Sequence, residues 1–149
     1  MELVRIFEIQ DCKMVSSGIG NFREGKFDRF EKWFSSLPRT MYPMNFLFCV
    51  DEGKEPHRYH WLHMLEENMD VPKEFEIIDF KGGLYAVVTI IDQGDFTEAL
   101  KARDRFLEDH GLEIDKSLPE LSTIFTTPLA EKLLGYNQMD CYTPIKSKV

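Results

Sequence analysis

An acid and a phenol stand two residues apart near the end of the chain, in Met139-Asp140-Cys141-Tyr142-Thr143-Pro144-Ile145-Lys146. On a β-strand, Asp140 and Tyr142 share one face, and Met139, Cys141 and Thr143 take the other. A carboxylate beside an aromatic ring attracts a cation and stacks a planar molecule. The simpler reading of Asp140 is a solvated strand end. Thr123 and Phe125 share a face in the preceding β-prone run, and if the two runs pair as a hairpin all four side chains converge. His57, His60 and His63 look like a ligand cluster, yet on a strand His60 points away from the other two. No carboxylate or cysteine is placed to complete a metal site there, so no metal or other cofactor is expected. Gly82-Gly83 lacks the G-x-x-x-x-G-K pattern of a phosphate loop, and no G-x-S-x-G elbow marks a serine hydrolase. No catalytic residue is assigned.

Composition narrows the classes. The 149 residues fit one domain, 1–149, with enough chain to bury a core. A net charge of -8 argues against a nucleic-acid surface, which needs clustered Lys and Arg. It suits a protein with a site for neutral or cationic organic molecules. Twelve Phe, five Tyr and two Trp supply a Phe-rich core or the walls of a pocket. Cys12, Cys49 and Cys141 form no C-x-x-C pair and read as reduced cytosolic thiols, which points to a cytoplasmic protein. The start, MELVRIFEIQD, carries charges throughout and has no signal-peptide core, and no apolar run approaches membrane-spanning length.

The elements that must position these residues follow from periodicity. Leu3 to Ser17 reads as one strand bent near Asp11. Gly25 to Leu37 is a helix with Phe27, Phe30, Phe34 and Leu37 on one stripe and Pro38 as its stop. Trp33 at the stripe's edge fits either core or pocket. Met44 to Val50 and His57 to Glu66 form a strand pair across the turn DEGKEP, with Tyr59, Trp61 and His63 on one face of the second strand. A helical reading of the second segment stays open, because Leu62, Leu65 and Met69 also fit helical spacing. In FEIIDFKGGLYAVVTIID, Phe75 to Asp92, the Gly-Gly pair inside a β-prone run marks a bulge or a close backbone approach. Asp95 with Glu98 has capping-box spacing ahead of a helix that ends at Gly111. LEIDKSLPEL reads as a loop. Leu121 to Thr127 and Gln138 to Lys146 are strands separated by a polar turn or short helix around Ala130 to Leu134. The order is β-α-β-β twice, over residues 1–70 and 75–149. The expected fold is α+β, with two helices on one face of an antiparallel sheet and a concave groove at the pseudo-two-fold on the other.

KGGLYAVV, the helix FTEALKARDRFLEDHG and the terminal MDCYTPIK together resemble the GyrI-like, AraC-type effector-binding domain of multidrug-sensing regulators. The resemblance covers nearly the whole chain. It implies a duplicated two-layer fold with an aromatic groove for hydrophobic, often cationic, organic molecules. Asp140 and Tyr142 match the acid and tyrosine of the last strand. Thr123 and Phe125 stand where relatives carry a Glu and a Tyr near the groove floor. Asp140 would then be the remaining groove acid, with a bound cation as its natural partner. Trp61, Tyr85 and Tyr142 would supply aromatic walls, unless Trp61 faces the helices instead.

Three functions follow as expectations. The first is a small-molecule effector-binding domain, free-standing or joined to a DNA-binding domain, that does not itself read DNA. The second is a GyrI-like hydrolase opening strained rings of reactive natural products, against which the loss of the acid at Thr123 counts. The third is a protein-interaction module like the gyrase-inhibitor branch.

Overall fold

The computed structural model describes residues 3–20, 24–38, 46–51 and 58–148. The chain runs β1 (Arg5–Ile9), β2 (Cys12–Ser16), α1 (Gly25–Ser35), β3 (Phe46–Asp51), β4 (Arg58–Met64), β5 (Glu76–Phe80) and β6 (Gly83–Ile91). It continues with α2 (Thr97–Asp109), β7 (Leu112–Ile114), β8 (Leu121–Ile124), α3 (Pro128–Leu134) and β9 (Gln138–Ser147). Met44, the DEGKEP turn after Asp51 and His57 lie outside the described residues. Leu112–Ile114, expected as loop, pairs with the end of β9. The segment between the last two strands is a third helix. Thr127 caps it by accepting from Ala130 N–H, and Pro128 opens it where no amide donor is needed.

The strands form one antiparallel sheet in the order β1-β6-β9-β8-β3-β4-β2-β5. The order is symmetric about the β8–β3 contact, and the two halves meet there. The opening strand of each half pairs with the other half: β1 with β6, and β5 with β2. One register runs through both bends, since Ile9 faces Gly83 and Cys12 faces Phe80. Because β1 joins β2 and β5 joins β6 directly, the two ends of the strand order meet at these bends. The sheet therefore curls back on itself.

Gly82 makes the bend. A Cβ there would sit 1.9 Å from the Ile9 carbonyl oxygen, a backbone atom that cannot step aside. Its N–H donates to Asp11 Oδ1 at 2.8 Å. The close approach expected of the Gly-Gly pair is thus the approach of β6 to the β1–β2 corner.

The two longer helices, α1 and α2, lie on one face of the sheet. α1 buries Phe27, Phe30 and Phe34 against Val15, Phe46, Phe48, Trp61 and Phe75. Each such side chain removed from water contributes roughly 1.5–3 kcal/mol. α2 sets Ala99 against Val88 and Ile90, and Leu107 against Ala86 and Ile145. Its first turn departs from the expected capping box. Asp95 Oδ1 accepts from Thr97 N–H, two residues on, and Glu98 pairs with Lys101 instead. Gly111, at φ +64°, follows the helix and ends it.

Candidate functional site

The face away from the helices carries the alternate residue of every strand. Tyr85 and Val87 of β6, Leu121 of β8, Cys49 of β3, Leu62 of β4 and Met14 of β2 pack there as a second core inside the curl. Toward the bends this core opens into a cavity of about 360 Å³. Its walls come from Phe7, Glu8, Ile9, Gln10, Cys12 and Met14 of the first bent strand, Phe46 and Leu47 of β3, Met64 of β4, Thr123 of β8 and Tyr142 of β9. Cavities of this size, largely apolar with a few polar atoms, hold small organic molecules. Glu8 alternates with Phe7 and Ile9 along β1, so its side chain points to the opposite face.

The six residues picked out in sequence have different fates. Thr123 and Tyr142 line the cavity. Tyr85 lies on the same face, 0% exposed, with its ring 6.3 Å from that of Tyr142. Burial, then nearby Cys49 and Asp115, push its phenol up to about 12. Asp140 is on this face too, the register partner of Thr123. Phe125 lies beyond the end of β8, half-buried, with its N–H bonded to the Gln138 carbonyl, and takes no part in the cavity. Trp61 is not a wall of it. Strand alternation turns its ring toward the helices, where it stacks on Phe27 at 5.7 Å between planes 5° apart. Its indole N–H is buried there without a hydrogen-bond partner among the described residues.

Two details set the chemistry of the site. The first is that Asp140 already has a cation. Arg5 Nη2 lies 2.7 Å from its Oδ1, and the Thr89 hydroxyl donates to the same oxygen at 2.7 Å. The Arg5 guanidinium also sits 5.5 Å from the centre of the Phe7 ring, which packs edge-to-face with Tyr142, centres 6.1 Å apart. Burial raises the pKa of Tyr142, with Asp140 adding to the shift and Arg5 opposing it. The second detail is an orphan. Thr123 Oγ1 is buried, on a residue 5% exposed, and has no hydrogen-bond partner among the described residues.

The first strand's contribution is what sequence reading missed. Arg5, Phe7 and Ile9 alternate on one face, a visible period-2 signal, but none of the three was singled out for the site from the sequence. His60 and His63 do point to opposite faces. His60 Nδ1 lies 3.2 Å from Ser16 Oγ, and His63 Nδ1 donates to the Met64 carbonyl at 2.9 Å under α1. Among the described residues no group of three His, Cys, Asp or Glu is placed to hold a metal ion.

No family model matches the chain, and no curated protein matches it. Solved structures do. The EcmrR C-terminal domain aligns over 99% of both chains at a TM-score of 0.65 and 8% identity. The chain has the fold of that domain. In the EcmrR–DNA complex the same alignment spans 97% of this chain and 57% of EcmrR. SAV2435 bound to tetraphenylphosphonium aligns over 97% of this chain and 94% of its own, at a TM-score of 0.54 and 12% identity. A hydrolase from Listeria innocua aligns over 96% and 91%, at 0.61 and 10% identity. The α+β fold expected from the sequence, with helices on one face of an antiparallel sheet, is the fold found. No described helix is long and apolar enough to cross a membrane.

Proposed function

We propose that this chain is a small-molecule effector-binding domain whose cavity takes a hydrophobic organic molecule. The observation that carries the reading is the apolar cavity of about 360 Å³ between the first bent strand and β3, β4, β8 and β9. The likeness to the EcmrR C-terminal domain and to ligand-bound SAV2435 supports it. EcmrR, seen on DNA, supports a role as the sensing part of a transcription regulator, with DNA contacts made by a fused or partner domain. The cytoplasm is the compartment such a role requires.

A hydrolase of reactive natural products would need an acid or base within reach of substrate and water. The acid on this face, Asp140, is engaged by Arg5 and Thr89, so binding without turnover is the reading the geometry favours.

A thermal-shift screen with neutral and charged lipophiles tests the proposal. A ligand at a hundred times its Kd should stabilise the fold by about 2.7 kcal/mol. Met64→Trp, which fills the cavity from its exposed rim, should abolish the shift. A library without a single stabilising compound, or a shift that survives Met64→Trp, refutes it.

A further inference from the structure

We infer that Arg5 is a specificity-determining residue that makes the cavity select uncharged lipophiles and discriminate against permanent cations. This rests on the ligand-binding reading above.

Two features of a site attract an organic cation: a carboxylate and an exposed aromatic face. Both exist at this cavity, and the chain's own guanidinium occupies both. Asp140 flanks the cavity, two residues from Tyr142 on the same strand and in register with Thr123. Its side chain is 12% exposed, and Arg5 and Thr89 each reach its Oδ1 at 2.7 Å. The same guanidinium lies over Phe7, a cavity wall, at 5.5 Å. A cation entering beside Tyr142 therefore meets a positive charge in place of a free negative one, in surroundings where partial burial leaves the repulsion poorly screened. The net charge of -8 draws cations toward the whole surface, but that field is long-range and fades with salt. It does not replace a contact. What the cavity does offer a ligand is apolar wall and an unsatisfied hydroxyl in its lining, Thr123 Oγ1, suited to a neutral molecule with a polar group.

The test compares three probes of similar shape by isothermal titration: tetraphenylphosphonium, tetraphenylborate and neutral triphenylphosphine oxide. The parent protein should bind the neutral probe at least tenfold more tightly than the phosphonium. Arg5→Met keeps the aliphatic cover on Phe7 and frees Asp140. It should tighten phosphonium binding roughly ten- to a hundredfold, the range of a hydrogen bond or contact to a charged group, and leave the neutral probe within about threefold. Adding Asp140→Asn to Arg5→Met should erase that gain. Asp140→Asn alone leaves Arg5 uncompensated and should shift preference toward the borate, which tests the inference even where Arg5→Met fails to fold. Phosphonium binding the parent as tightly as the neutral probe, or charge preference unmoved in both single variants, overturns the inference and leaves the ligand-binding reading standing. Failure of all three probes on parent and variants alike overturns the inference, and together with an empty thermal-shift library it overturns both.

Discussion

Replacing Thr123 by Val should make the empty protein more stable and the liganded protein weaker. The Thr123 hydroxyl is buried with no hydrogen-bond partner among the described residues. A buried polar group left unsatisfied costs about 1–3 kcal/mol, whereas a methyl of similar size in the same place costs nothing of the kind. A water could relieve the hydroxyl, but a water needs two to four polar partners. Most of the other side chains lining the cavity are apolar, Ile9, Met14, Leu47 and Met64 among them. Taking the low end, Thr123→Val should gain about 1 kcal/mol. For a chain of 149 residues this corresponds to a rise in Tm of roughly 2–5 °C. Urea denaturation should show a higher midpoint with an unchanged slope. Ligands whose polar atom meets the hydroxyl should bind about 2–12-fold more weakly, since one neutral hydrogen bond is worth about 0.5–1.5 kcal/mol. A variant less stable than the parent by about 1 kcal/mol would show that the hydroxyl is satisfied, and the reasoning from its orphan state would fall.

Further outcomes follow from the packing. Gly82→Ala drives a Cβ into the Ile9 carbonyl and should lower stability by more than about 2 kcal/mol in urea titrations; a neutral result would contradict the close approach. Trp61→Ala empties the core under α1 and should cost roughly 3–5 kcal/mol, yet ligand affinity of the folded fraction should stay within twofold. A selective loss of binding would return Trp61 to the site. Burial under α1 depresses the pKa of His63 below its ordinary 6.5, more than its bond to Met64 and the nearby Glu66 raise it. The unfolded chain therefore takes up this proton first. The stability tied to neutral His63 is fully present above 6.5 and is lost as pH falls from there through the lower folded value. His63→Gln should flatten that part of the stability-against-pH curve, and an unchanged slope would assign it to other groups.

Much of the architecture was legible because it is local. The α1 stripe of Phe27, Phe30 and Phe34 and the alternation of Tyr59, Trp61 and His63 follow from helical and strand periods alone. The main strands and helices were legible from periodicity, and the Gly82 bend from a residue type that strands avoid. The site was less so. Asp140 looked like a free groove acid because its partner is 135 residues away on a strand belonging to the other half. Trp61 looked like a pocket wall because face alternation shows which residues group together, not which group meets the helices. The short β7 is held by tertiary pairing to β9 rather than by its own composition.

The exchange of β1 and β5 between halves also has a consequence for how the chain is made. Among the described residues, 5–9 pair as a strand only with 83–87, so the first half cannot complete its sheet when it emerges. At about 5–20 residues per second, on the order of ten seconds separates the synthesis of β1 from that of β6. During that interval Ile6 and Phe7 sit on an unpaired strand, the kind of edge that recruits other chains. Productive folding in the cell therefore depends on keeping the first nine residues soluble until the second half arrives, and an arrest before residue 83 leaves an aggregation-prone product.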